Sequence, residues 1–180
     1  NLFSKIPARH EERFMKFDIV EFYPSITESL LREAIEFAKL YAPVSEQDLQ
    51  IIWHARRSLL FDTHSTWVKT QSKQFDVTMG AFDGAEICEL VGLYMLKQLE
   101  QRFGKGNIGL YRNDGLSALK LTDSEADTAR KDIHKIFGEC GLKITVQTQR
   151  ICTDFLNINL HIQNGRYWPY CKPNNQLLYI

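Results

Sequence analysis

Asp18 closes a short alternating stretch, and Asp114 stands far along the chain inside Asn113-Asp114-Gly115. Carboxylates placed this way suit phosphoryl transfer to a sugar hydroxyl. That reaction uses two hard cations roughly 3.5–4 Å apart, which bridge the attacking and leaving oxygens. Magnesium prefers carboxylate oxygens and keeps some of its waters for substrate phosphates. One aspartate at a strand end and another in a hairpin beside it can hold such ions. Each residue alone has a plainer reading, since strand-end aspartates and Asn-Asp-Gly runs usually make turns. The pair gains meaning only if a fold joins them.

Periodicity supplies the elements that must do so. Phe14–Val20 alternates as a strand, with Phe14, Lys16, Asp18 and Val20 on one face and Met15, Phe17 and Ile19 on the other. Thr27 caps an amphipathic helix predicted to run to about Leu40, carrying Leu30, Leu31, Ala34, Ile35 and Ala38. Beyond Pro43, Ser45 caps a second helix that runs through Leu49, Ile52, Trp53 and Leu60. Thr66–Val77 reads as a hairpin, and a long helix follows over about Ala85–Arg102.

Ile108–Tyr111 and Leu116–Leu121 read as strands meeting at Asn113-Asp114-Gly115. A helix from about Ser124 to Cys140 stops at Gly141, and Leu142–Thr148 forms the next strand. Asp154–Ile162 and Arg166–Tyr170 make a last hairpin around Asn164-Gly165. The order is that of an α+β fold: a ferredoxin-like, split β-α-β antiparallel sheet with helices on one face.

The 180 residues fit a single domain. With 44% hydrophobic and 24% charged residues, the composition is globular, which argues against disorder. No run is apolar enough to span a membrane, and no signal peptide opens the chain, so it reads as soluble and intracellular. Cys88, Cys140, Cys152 and Cys171 lack zinc-ligand spacing, and Cys88 reads as a core filler. The 22 basic residues balance 22 acidic ones, which counts modestly against a surface built for phosphate contacts. The start at Asn1-Leu2-Phe3 and the end at Tyr179-Ile180 read as cuts through a longer chain, so other domains of a longer polyprotein are expected.

The motifs form an ordered series. Phe17-Asp18-Ile19-Val20-Glu21-Phe22-Tyr23-Pro24-Ser25-Ile26 resembles the first palm motif of the reverse transcriptase family of mobile elements and retroviruses. Leu110-Tyr111-Arg112-Asn113-Asp114-Gly115 resembles its Tyr-x-Asp-Asp box, and Val77-Thr78-Met79-Gly80-Ala81 its Gly-containing template and nucleotide motif. Gly141-Leu142-Lys143 falls where the family has its fourth motif, and the Asp154–Tyr170 hairpin where it has the primer grip. The match covers about residues 14 to 173. An Asp followed five positions later by an aromatic residue is nearly worthless alone, whereas the whole series in order is specific.

The resemblance implies the palm and part of the fingers of a right-hand polymerase, with the early fingers and thumb outside this chain. It implies an RNA-directed DNA polymerase that uses two Mg2+ ions, or Mn2+, and takes deoxynucleoside triphosphates and an RNA or DNA template with its primer. Asp18 would ligate both ions beside the Ile19 carbonyl, and Asp114 would join it. Tyr23 would pack under the incoming sugar and exclude a 2′-hydroxyl. Gly80 would let the backbone approach the base pair, next to Met79 where retroviral members carry Gln. Lys143 would sit near the nucleotide phosphates and protonate the leaving pyrophosphate. Tyr111, Arg112, Tyr167 and Trp168 would contact nucleic acid.

One departure matters most. Asn113 replaces the first Asp of the box, so a neutral oxygen stands where the family has a charge, beside an NH2 donor that faces the cation. Much reduced or absent activity is the expectation, unless Asp114 takes over the ligand role. Three functions follow: a working polymerase, a decayed or domesticated copy that binds nucleic acid only, and a structural α/β domain with chance motifs.

Other residues keep two readings. Arg112 contacts phosphate or forms a salt bridge, and Tyr167, Trp168 and Tyr170 support a primer or close the core. For Arg56, Arg57, Lys69 and Lys73 a solvated face is the better reading, with template contact as the other. Glu21 is expected to be solvated or ion-paired, and Asp83 and Glu86 to be helix N-terminal charges.

Overall fold

The computed structural model describes residues 10–57, 59–68 and 75–170. Lys69, Lys73 and Cys171 lie outside them, as do Asn1-Leu2-Phe3 and Tyr179-Ile180. The chain opens with β1 (Arg13–Ile19), α1 (Phe22–Ser25), α2 (Glu28–Ala38), α3 (Glu46–Ala55), β2 (Leu59–Phe61) and β3 (Thr66–Val68). The long α4 (Gly84–Phe103) leads into β4 (Ile108–Tyr111), β5 (Asp114–Leu119), α5 (Asp123–Glu139) and β6 (Ile144–Arg150). Last come β7 (Cys152–Phe155), β8 (Ile158–His161) and β9 (Arg166–Pro169).

Four strands form an antiparallel sheet in the order β4-β5-β1-β6. The first strand in sequence thus lies in the middle, with α4 and α5 as crossovers, which is the split β-α-β order read from the sequence. Alternation along β1 explains the layering. Met15, Phe17 and Ile19 pack into the main core with Leu31, Cys88, Met95, Ile133 and Phe137 of the helices. The Phe17 and Phe137 rings meet at 5.7 Å between centroids, a favourable aromatic spacing. On the other face Phe14 joins Leu160 and Ile162, so β7 and β8 pack there, with β9 paired to β8. Lys16 Nζ donates to Asp154 Oδ2 at 2.6 Å across the same junction.

The helix signals act as their chemistry dictates. Thr27 Oγ1 accepts from the Leu30 N–H, and the Ser45/Asp48 and Thr122/Glu125 pairs form capping boxes. Gly141 ends the α5 turn with φ 74°, a conformation that suits glycine. Among the described residues no helix is long and apolar enough to cross a membrane.

Three boundaries differ from the sequence expectations. The second helix ends at Ala55 rather than near Leu60, because β2 and β3 pair around Asp62. The Asp62 carboxylate accepts the His64 and Ser65 N–H groups at 2.7 and 2.8 Å, a side-chain turn that stands upstream of the expected Thr66–Val77 hairpin. The expected single strand Asp154–Ile162 is two strands, β7 and β8, reversed at Leu156 with φ 54°. Neither Leu156 nor Asn157 is a strong turn former, so local composition hides that reversal.

Candidate active site

The register of the central sheet brings the two aspartates together. Asp18 of β1 lies directly opposite Asp114 of β5. Directly paired residues share a face, with Cβ atoms about 4.5–5.5 Å apart. Lys16 with Leu116 and Phe14 with Ala118 continue that face, away from the helical core. Both carboxylates are half-buried.

The hairpin that carries Asp114 turns at Arg112-Asn113, because Tyr111 already pairs with Asp114. The turn therefore sits before the expected Asn113-Asp114-Gly115 centre. Arg112 takes the left-handed conformation at φ 53°, uncommon for a long side chain. Gly115 has a different task from turning. A Cβ there would lie 1.9–2.4 Å from the Phe17 ring, so glycine is what lets the strand cross this buried phenylalanine.

Asn113 is tied to Asp18 twice over. Its carbonyl accepts the Ile19 N–H at 2.9 Å, and its Nδ2 donates to Asp18 Oδ1 at 2.7 Å. A carboxylate at this position would place like charge against Asp18 and would favour a bound cation or a proton. The amide instead satisfies Asp18 by hydrogen bonding with no ion present. Replacing Asp by Asn therefore changes the resting state as well as the ligand count.

Other candidate residues gather at this end of the sheet. The Lys143 carbonyl accepts the Val20 N–H at 2.9 Å, next to the end of β1, and its side chain is exposed. Tyr23 lies on α1 behind Glu21, which takes φ 48° and is exposed. Burial raises the Tyr23 phenol above its ordinary pKa, and its hydrogen-bonding neighbour Cys88 adds to the rise. Burial likewise pushes the Cys88 thiol up to about 11, so both groups are neutral near pH 7. Cys88 is fully buried, as a core filler should be.

The Met79-Gly80 turn reaches the same region through Gly84. A Cβ on Gly84 would fall 2.8 Å from the Thr78 carbonyl oxygen and 3.6 Å from Tyr23 Cε1. Gly80 itself has φ 89°, and Met79 is exposed. The proposed nucleotide residues are thus linked to Tyr23 by backbone packing.

The remaining candidates sort more clearly than sequence allowed. Arg112 stands 4.0 Å from Glu89 and 5.5 Å from the Tyr111 ring centre, with Tyr111 and Arg112 both exposed. Tyr167 and Trp168 are exposed on β9, which excludes core closure for those two. Arg57 is exposed as expected, but Arg56 is buried and paired with Asp83. The solvated-face reading of Arg56 is wrong. Its helix stops one residue earlier, which turns the guanidinium inward. Only the acidic Asp83 before a long helix hinted at such a partner.

Asp18 and Asp114, set opposite each other across the strands, are the residues that could hold a divalent cation. Magnesium is commonly bound by one or two carboxylates and completed by water and substrate phosphates. Among the described residues no group of three His, Cys, Asp or Glu side chains forms a ready cation site.

Comparison with known proteins identifies the fold. The chain aligns with apo telomerase from Candida tropicalis at 13% identity and a TM-score of 0.63, over 93% of this chain and 34% of that one. The fold is like that of part of this telomerase chain. A form of that telomerase truncated from its C-terminal domain aligns at 13% identity and TM-score 0.61, over 88% of this chain and 35% of that one. Candida albicans telomerase, in complex with a TWJ fragment of telomeric RNA, aligns at 14% identity and TM-score 0.59. That alignment covers 93% of this chain and 31% of the other. The chain thus spans about a third of these telomerase chains. No protein-family profile and no curated protein matches the sequence.

Proposed function

We propose that this chain is the palm, with part of the fingers, of a reverse-transcriptase-type polymerase. Asp18 and Asp114 would hold a divalent cation for nucleotidyl transfer onto a primer. The observation that carries this reading is the cross-strand pairing of Asp18 with Asp114 in a reverse-transcriptase-like fold. When bound, magnesium or manganese would polarise the phosphoryl oxygens and lower the pKa of the attacking primer hydroxyl. Asp18, with the Ile19 carbonyl beside it, would serve both ions of a two-metal site, and Asp114 would join it.

The chain's own residues would orient the reaction. Tyr23 would stand beneath the sugar, and the Met79-Gly80 turn would meet the base pair. Lys143 would deliver a proton to the leaving pyrophosphate. Tyr111, Arg112, Tyr167 and Trp168 would contact the template and primer. Two of the telomerases similar in fold are described in complex with RNA, which supports a nucleic-acid partner. Origin in a mobile element rests on the sequence resemblance and belongs to this proposal, as does action inside the cell.

A second reading has its own observation. The Asn113 amide occupies Asp18 by hydrogen bonding, which favours a copy that binds primer–template without extending it. Primer extension by the full-length protein and its Asn113→Asp variant separates the two. We expect the variant to be faster by at least about tenfold, equivalent to about 1.4 kcal/mol of transition-state stabilisation. Equal rates would refute an impaired site. A structural domain without catalysis predicts no magnesium binding to either form by calorimetry.

A further inference from the structure

We infer that Arg56 is a positioning residue, a buried clamp that sets the Met79-Gly80 turn and through it the affinity for nucleotide. The second half of this inference rests on the polymerase reading. Arg56 is 2% exposed, among the most buried large side chains of the protein. It grips the segment before α4 at both ends. Its carbonyl accepts the Asp76 N–H at 2.9 Å, and its Nη2 donates to Asp83 Oδ1. Arg57 adds a bridge to Phe75 on the same side.

Between those two grips the backbone folds on itself. Ala81 N–H donates to the Thr78 carbonyl at 3.1 Å, and Gly84 N–H to the Ala81 carbonyl at 3.1 Å. Val77 is buried at the foot of the loop, while Met79, Gly80 and Phe82 are exposed at its tip. One arginine therefore holds both ends of the loop that bears the candidate nucleotide residues.

Two features argue against simple stability as the reason for the pair. Asp83 sits at the N-cap position of α4 but makes no side-chain cap, so its carboxylate serves Arg56 instead. Arg56 Nε is buried with no hydrogen-bond partner among the described residues, a cost that well-packed apolar residues would avoid. What the pair provides that apolar packing does not is a directional tie between the end of α3 and the start of α4. Arginine's planar fork suits that task better than a lysine ammonium.

The test compares the full-length protein with its Asp83→Asn and Arg56→Lys variants, each also in the Asn113→Asp background. Amide hydrogen exchange reads the clamp without reference to catalysis. Ala81 and Gly84 should exchange about tenfold faster in both variants, with the Ile19 amide unchanged. Arg56→Lys keeps the charge and gives a folded comparison if Asp83→Asn strands the arginine.

Extension of oligo(dT) on poly(A) with dTTP reads the consequence. In the Asn113→Asp background KM for dTTP should rise about tenfold, with kcat within about twofold. Exchange that quickens everywhere, or nowhere, overturns the clamp. A loosened loop with unchanged KM overturns its role in nucleotide binding. Failure of the Asn113→Asp protein itself to extend sinks the polymerase reading and the nucleotide role with it, while the exchange data still decide the clamp.

Discussion

Along β1, Met15, Phe17 and Ile19 point into a core shared with α2, α4 and α5. On the opposite face, among the described residues, Phe14 has Leu160 and Ile162 as its fully buried neighbours. The first region is locked by tight packing, down to the glycine that admits the Phe17 ring. The second is a small sheet tied on by a few apolar contacts and the Lys16–Asp154 pair, and β9 stays exposed along its length. The contrast separates two tasks. Dense packing fixes the register that sets Asp18 against Asp114. The smaller sheet leaves Tyr167 and Trp168 at the surface rather than in the core.

The strongest way to break this contrast is Gly115→Ala. The new methyl would collide with a ring that has no free space, and overpacking of this kind costs roughly 3 kcal/mol. Denaturant melts should show that loss, and primer–template binding should fall with it because Asp114 is next in the strand. A change under about 0.5 kcal/mol would mean that the packed region is softer than its contacts indicate.

A smaller effect is expected where the two regions meet. The hydrogen bond from Lys16 holds the Asp154 carboxyl below the ordinary aspartate range. Its contribution is therefore present above the unfolded pKa of about 4 and is lost as pH falls through the lower folded value. Asp154 is part-exposed, so the difference between the protein and Asp154→Asn should be under about 1 kcal/mol near pH 6. It should shrink as pH falls below the ordinary aspartate range. A gap that widened on acidification would contradict the assignment.

The least effect on folding belongs to the exposed strand. Trp168→Ala should change stability by no more than about 0.5 kcal/mol. Its primer–template affinity should drop by about tenfold if a base stacks on the indole. Loss of stability without loss of affinity would make Trp168 a packing residue and narrow the distinction between the two sheets.

Much of the scaffold was legible because its signals are local. Alternation in Phe14–Val20, hydroxyl caps at Thr27 and Ser45, and Gly141 after a helical run act over a few residues. The reversal at Leu156 was not legible, since it depends on pairing with β8 rather than on turn-forming residues. The β2–β3 turn did have a signal in Asp62, two residues ahead of His64.

The amino-acid order alone determined which residues were eligible for chemistry: Asp18, Asn113, Asp114, Tyr23, Gly80 and Lys143 in an ordered series. Tertiary structure decided which of them meet. Strand register follows from side-chain packing across distant segments, and a one-residue slip would have turned Asp114 to the helical face. The same long-range packing turned Arg56 inward to Asp83 and brought the Asn113 amide onto Asp18. Local propensity carries no information about such contacts, because their energy exists only once both segments are in place.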